Sequence, residues 1–369
     1  MRISVLLCRL LLCAAIAPIL NGSTIPGFYQ TNLVSDIPGL AQHTDPGMVN
    51  PWGVSFTPTS PFWISENGAG NSTLYSAAGV KQSLIVTIPS PTSGMSAPTG
   101  QVFNFNNGTG AFNGDLFIFA TEDGTIAGWR GALGTTAETL FDGSPQDAVY
   151  KGLAIASIGS NTYLYAADFF NGQVTVDRST GAPALTGNFV DPNLPSGFAP
   201  FNVQVFGSQV YVAYAMQDAD KHDDQPGPGN GYVSVFDLNG NFVSRLISNG
   251  PLNSPWGMTF APSGFGSLGG DLLVGNFGDG TINVFTPTGA FVGTLGDVHN
   301  TPLANDGLWA LTFGNTGGSS LFLTAGLNGE SDGLFARIDP VPEPATSVAM
   351  ALGLLALCLL ARRAAKVKR

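Results

Sequence analysis

The chain has 369 residues, with 25 acidic side chains against 14 Lys and Arg, 49 glycines, 25 prolines and three cysteines. Seven of the cations sit in the two ends (Arg2, Arg9, Arg362, Arg363, Lys366, Lys368, Arg369) while all the acids lie between Asp36 and Glu343, so the body carries a charge near −18. That surface repels phosphate backbones and excludes nucleic acid as a partner; cations, neutral glycans and basic surfaces suit it. Cys8, Cys13 and Cys358 are likewise confined to the ends, which removes a catalytic thiol and a Cys-ligated zinc site from the body. A body of this length can stand on a buried core without disulfides.

In chain order, residues 1–23 read as a signal peptide. Arg2 and Arg9 precede an apolar run at 10–20, and Ala15-Ile16-Ala17 supplies small residues for cleavage. Residues 28–35 (FYQTNLVS) then read as a lone strand. Beyond it one short strand recurs: 52–56 (WGVSF), 99–103 (TGQVF), 151–155 (KGLAI), 201–205 (FNVQV), 256–260 (WGMTF) and 309–313 (WALTF), at spacings of 47, 52, 50, 55 and 53 residues. A period near 50 is that of a propeller.

Each recurrence is followed by a second strand, at 62–65, 116–120, 163–167, 210–215, 272–274 and 321–324, and after a Gly-rich turn by a third, at 72–76, 125–129, 173–177, 232–237, 281–286 and 334–338. Five repeats add a fourth, at 83–88, 138–141, 185–190, 242–247 and 291–295. Short β-branched and aromatic runs punctuated by Gly, Asn, Asp and Pro are strands and turns. The last repeat lacks a fourth strand, and 28–35 is available to fill that place and close the ring, which each sheet needs because it buries its faces only on its neighbours. The expectation is an all-β protein, a six-bladed β-propeller over 24–340 closed by its N-terminal strand. Trp52, Trp256 and Trp309 are expected to fill the gaps between neighbouring sheets; a glycan-stacking role would need them exposed at a rim.

At the C-terminus, Val341-Pro342-Glu343-Pro344 precedes an uncharged run at 345–361 and a basic tail at 362–369. Seventeen apolar residues lie at the short end of what crosses a bilayer, and a basic cluster after them stays cytoplasmic. A plain membrane anchor would satisfy the apolar run and the arginines. Pro-Glu-Pro, a membrane helix and a basic end, in that order, resemble the PEP-CTERM sorting signal of exported bacterial proteins. The resemblance implies anchoring in the inner membrane, processing by an exosortase as partner, and delivery to the cell surface or an extracellular polymer matrix. The body resembles YncE-like and NHL-like propellers in repeat length. Its Trp-Gly strand openings and the Leu33-Val34-Ser35-Asp36 lead-in look like a propeller family that travels with PEP-CTERM tails, a likeness that implies the fold and no activity.

In a four-stranded blade the turns between second and third strands open on one face. Here they carry Glu66, Glu122, Asp168, the cluster Asp218, Asp220, Asp223 and Asp224, then Asn276 and Asn328, an acid or an amide from every repeat. Carboxylate and amide oxygens around a central channel suit a hard cation such as calcium, which takes six to eight oxygens. These nine residues are therefore the candidate metal ligands; a solvated acidic loop at 218–224 is the competing reading. No catalytic set is assigned, because only His43, His222 and His299 are present and there is no Gly-x-Ser-x-Gly elbow. The functions left standing are a surface or matrix binding module, with extracellular polysaccharide as a fitting partner, a calcium-dependent lactonase-type hydrolase, and a structural matrix component.

Overall fold

A computed structural model describes residues 23–314 and 318–341. The leader expected over 1–23 lies, except for Ser23, outside the described residues, as do Pro342, Glu343, Pro344 and the apolar run at 345–361. Among the described residues no helix is long and apolar enough to cross a membrane.

The chain folds into successive antiparallel strand groups. The first is Pro51–Ser55, Phe62–Glu66, Asn71–Tyr75 and Lys81–Thr87; the second is Pro98–Phe103, Phe117–Thr121, Thr125–Trp129 and Glu138–Asp142. The third has Tyr150–Ile158, Asn161–Asp168 and Gln173–Arg178, and the fourth has Phe198–Phe206, Gln209–Met216, Tyr232–Asp237 and Phe242–Ser248. The fifth is Pro255–Phe260, Leu272–Asn276, Ile282–Phe285 and Phe291–Asp297, and the last is Leu308–Phe313, Leu321–Gly326 and Asp332–Pro340. The opening strand of each group touches that of the next, and Leu308–Phe313 returns to Pro51–Ser55. Strand groups set radially about an axis, with apolar cores between neighbours such as Tyr165, Phe189, Val203, Tyr214 and Phe236, make a β-propeller.

The Trp-Gly openings have a steric reason. A Cβ on Gly53 would stand 2.5 Å from the Thr99 carbonyl, and one on Gly257 would stand 2.5 Å from the Trp309 carbonyl. Only glycine lets neighbouring inner strands approach this closely at the axis.

The N-terminal strand Thr24–Ser35 pairs antiparallel with Asp332–Pro340, from Phe28 opposite Pro340 to Ser35 opposite Leu334. Its first residues also run parallel to Phe291–Asp297, with Thr24 opposite Thr294. One strand, with the short strand His43–Thr44 paired beside it, thus hydrogen-bonds the fifth and last groups into a single nine-stranded sheet. Phe28 packs 4.9 Å from Phe265, and the Val341 amide donates to the Gly27 carbonyl at 2.7 Å.

Two expectations are corrected. Residues 185–190 do not form a fourth strand in the third group. The amides of Gly187 and Phe189 instead donate to Asn239 and Gly240 in the fourth group, and the Phe189 ring lies between Tyr165 and Phe236, 5.2 and 5.4 Å away. Phe189 has φ +55°, which no strand adopts, and Pro183, Pro192 and Pro195 flank the segment. Buried Asp191, taking hydrogen bonds from Arg245 and Ser234, fastens the segment to its new place. The second correction concerns the tryptophans. Trp52 stacks on Trp309 at 3.4 Å, with Trp256 edge-on to both at 6.1 and 5.7 Å. The first and fifth groups do not adjoin in the ring, so these rings meet on the axis and plug the channel. Each opens or nearly opens its inner strand, at the point where neighbouring strands converge.

Candidate functional site

The position occupied by Trp52 is held in the other inner strands by Thr99, Lys151, Phe201, Trp256 and Trp309. One repeat therefore sends an ammonium where others send an aromatic ring. Lys151 is 1% exposed, and its Nζ donates to Glu122 and, at 2.9 Å, to Asp223 while lying 5.4 Å over the Trp52 ring. Burial pulls the Lys151 pKa down, but the adjacent Glu122 and Asp223 charges outweigh it and hold the amine above its ordinary value. Asp223 in turn sits well below the carboxylate range, through its bond to His222 first, against a burial cost, and then through Lys151. His222 is raised chiefly by the same bond to Asp223, 3.1 Å long.

A hydrogen-bonded circuit runs around the funnel from this ion pair. Glu122 accepts from Asn67 Nδ2 at 2.8 Å, Asn67 accepts from Asn50 at 3.2 Å, and Asn50 Nδ2 also reaches Glu330 at 3.3 Å. The Asn50 carbonyl oxygen accepts the Trp309 indole N–H at 3.0 Å, which ties the circuit to the plug below it. The cavity above the plug measures about 260 Å³ and is lined by Trp52, Lys151, Asp224, Phe277, Trp309 and Glu330. Burial pushes Glu330 up to about 7, helped by the nearby Glu122 charge, and burial pushes Asp224 up to about 6. A second chamber of about 150 Å³ lies on the other side, with Gln101, Gln204, Trp256, Thr259 and Thr312 in its wall.

Of the nine candidate ligands, the fold brings Glu122, Asp223 and Asp224 to this funnel. Asp218 caps the His222 amide on the same loop, and Asp220 is exposed beside Glu122 and His222. The others are engaged elsewhere. Asp168 organises its own turn, accepting from the amides of Val149 and Asn171. Asn276 accepts the Asn253 amide and donates to the Pro251 carbonyl. Asn328, at φ +54°, donates to Asp332.

Glu66 is fully buried, takes a 2.5 Å hydrogen bond from Thr73, and has Asp45, Lys81 and Asp36 as its nearest charges. Burial holds it well above its ordinary pKa. With the native pKa raised, its contribution to stability is complete below the unfolded value near 4.5 and declines as pH rises toward the native one. Glu66→Gln is expected to remain folded and to flatten that decline, a slope of about 1.4 kcal/mol per pH unit for one such group, in urea melts between pH 5 and 8. An unchanged slope would show that Glu66 ionises freely.

Ligand atoms of Glu122, His222 and Asp223 lie within 4.8 Å of one another, the spacing a metal would use. The protein has set its own cation, Lys151, between two of them, so a divalent ion would have to displace that ammonium. Sequence reasoning did not single out Lys151 or Glu330. The signal for Lys151 was its register, a lysine where five sibling strands carry Trp, Phe or Thr.

Comparison with known proteins adds three findings. The model of the PEP-CTERM protein-sorting motif matches residues 340–364. Two uncharacterized proteins of Acanthamoeba polyphaga mimivirus are each 33% identical to this chain, one over 320 residues spanning 83% of this chain and 78% of the other, the second over 322 residues spanning 83% and 84%. The chain belongs to their family. Among solved structures, streptogramin B lyase (TM-score 0.50, 13% identity, 85% of this chain and 98% of that one), a glucose dehydrogenase (0.53, 14%, 84% and 98%) and the aldose sugar dehydrogenase of Escherichia coli (0.52, 11%, 85% and 99%) share the propeller fold. This chain thus joins a β-propeller body to a PEP-CTERM sorting motif.

Proposed function

We propose that this protein is an exported binding module: a six-bladed propeller latched by Thr24–Ser35, processed by an exosortase, and binding a small solute or an extracellular polymer through the axial funnel. The observation that carries the reading is the buried Lys151 charge, held by Glu122 and Asp223 in the wall of a cavity that five of the strand groups build together. A buried ion pair is weak evidence for stability and fits better with shaping a site.

Topology supports an outward-facing funnel. The strand Asp332–Pro340 starts beside Glu330 and is nine residues long, so it ends roughly 26 Å away at the rise of a β-strand. At that far end a Cβ on Gly266 would meet Pro340 at 3.7 Å, and Asp339 accepts from Ser320. Both partners belong to connections at the strand ends opposite the funnel. A tail leaving there holds the membrane on one side of the ring and turns the binding face to the medium.

Binding is tested by presenting purified protein to a glycan array and to divalent cations in a calorimeter. Capture that is lost in Glu330→Gln supports the module; silence in both assays favours the structural-component reading. For sorting, Glu343→Ala is expected to leave the full-length form in the inner membrane, seen on an immunoblot as complete loss of the shorter product. Normal processing of that variant would discredit the exosortase step. A second reading draws on the convergence of Glu122, His222 and Asp223: a divalent cation there, with Glu330 near neutrality as proton carrier, would suit a lactonase-type hydrolase. Chelator-sensitive lactone hydrolysis would replace the first reading with this one.

A further inference from the structure

Beneath the tryptophan plug the axis widens again, apart from the funnel. The chamber of about 150 Å³ there shares Val54, Gln101, Gln204 and Thr312 with a neighbouring space of about 230 Å³. Phe56, Phe103 and Val205, which stand at the far ends of their inner strands, line that second space, so the pair opens on the face opposite the funnel. Neither wall contains a titratable side chain. In a body with a charge near −18 that neutrality sets the lower chamber apart from the ion-lined funnel above it.

The polar groups of these walls are of two kinds. Gln101 is spent: its amide donates to the Gly53 and Trp63 carbonyls at 2.7 and 2.8 Å, and its oxygen takes the Ser55 hydroxyl at 3.3 Å. The side chains of Gln204 and Thr259 make no hydrogen bond among the described residues, and Thr312 has only a 3.4 Å contact with the carbonyl of Phe313. An amide offers two donors and two lone pairs, and a hydroxyl one donor and two lone pairs. These three side chains come from the fourth, fifth and last groups. Beyond the spent Ser55 and Gln101, the first three groups line the spaces with apolar side chains such as Val54, Val102 and Ala154. The channel is therefore two-sided here: one arc offers hydrogen bonds and the arc facing it is apolar.

Each feature narrows the ligand. A metal ion finds no carboxylate, imidazole or thiolate in the walls, and any ionised ligand would be buried without a counter-charge. A purely apolar ligand would strand the amide and the hydroxyls. Water meets the polar arc and not the apolar one. A neutral ring with hydroxyls along one edge and C–H groups on a face meets both. Each space lies below the roughly 300–1,000 Å³ of drug-sized sites, so one ring is what they hold. We propose that the lower chamber binds the terminal pyranose of an uncharged glycan, its hydroxyls on Gln204, Thr259 and Thr312 and its C–H face on Val54, Val102 and Ala154. Walls without ions make this binding indifferent to pH and salt, unlike that of any ligand held by the charges of the funnel. The tail leaves the ring on this side, so a polymer end reaches the chamber in the processed protein.

The test follows methyl glucoside, methyl galactoside and methyl mannoside by ligand-observed NMR on the intact protein, with glucosamine and glucuronate as charged counterparts. At least one neutral glycoside is expected to bind, with an affinity that stays within about two-fold at pH 5 and pH 8 and at low and high salt, and both charged sugars are expected to bind at least about ten-fold more weakly. Gln204→Leu and Thr259→Val are each expected to weaken the neutral sugar by about five-fold with an unchanged melting temperature, which separates lost binding from lost folding. Silence toward all three glycosides would mean that the chamber holds water only and would overturn the proposal. A glycoside whose binding survives Gln204→Leu and Thr259→Val but is lost in Glu330→Gln sits in the funnel, which would overturn this site and leave the binding module standing.

Discussion

A chain lacking residues 28–35 is expected to melt more than roughly 10 °C below the intact protein and to aggregate on heating. The deleted segment buries Phe28, Leu33 and Val34, side chains worth about 1.5–3 kcal/mol apiece. It also removes the seven pairings that run from Phe28 opposite Pro340 to Ser35 opposite Leu334. A domain of this size loses roughly 2–4 °C for each kcal/mol, so the side chains alone account for the shift. The deletion also bares the edge of Asp332–Pro340 and removes the Phe28 pairing with Asp297, leaving only the pairings of Thr24 and Ile25 with Phe291–Asp297. Open edges are templates for association. Scanning calorimetry on this deletion, beside a chain lacking the exposed turn at 90–94, decides the matter. A melting curve like that of the turn deletion would mean that the ring does not depend on its N-terminal strand.

Lys151→Met is expected to cost about 3 kcal/mol in urea unfolding at pH 7, at the lower end of what breaking a buried ion pair costs. The lower end applies because the Asp223 side chain is 66% exposed and can turn to water, whereas Glu122, at 13%, is largely confined. Removing the ammonium leaves two carboxylates facing each other beneath a polar funnel. Asp223 has a depressed native pKa, so its share of the stability is present above its unfolded value near 4 and is lost as pH falls below that. In the methionine variant this dependence is expected to shrink. The double variant Glu122→Gln, Lys151→Met is expected to recover most of the loss, since a pair removed together leaves no orphan charge. A single variant unfolding at the wild-type midpoint would show that the ion pair contributes nothing to the fold.

These two effects bear on different levels of legibility. The 28–35 strand was readable because it is a short apolar-polar run with no partner in its own repeat, placed ahead of a repeat series that ends one strand short. The strands of the repeats were readable for the same local reason, and most of those seen in the structure start or end within a few residues of the expected positions. The exception, residues 185–190, has the composition of a strand but sits among prolines, and Phe189 gains more from the gap beside Tyr165 and Phe236 than from an outer edge.

The site was less legible. Turn position alone singled out Glu66, Asp168, Asn276 and Asn328 together with Glu122, Asp223 and Asp224, because all of them lie at or just beyond the ends of second strands on one face. Strand ends do not say which way a side chain leaves. Glu66 is buried whole and bonded to Thr73, while Asp168 folds back onto its own turn and Asn276 is engaged by the link at Pro251 and Asn253. Glu330 enters the funnel through a turn in which Asn328 and Gly329 also have positive φ, a path that no periodicity announces.

By itself the sequence determined what is local or compositional: strands, turns, the fifty-residue period, the acidic body and the sorting motif at its end. Alternation, glycine placement and charge act over a few residues and are written there directly. Only the tertiary structure decided which residue of each repeat reaches the axis, so that three tryptophans close the channel and Lys151 meets Glu122 and Asp223 above them. The distance between those groups is set by closing the ring, and it depends on every strand group at once.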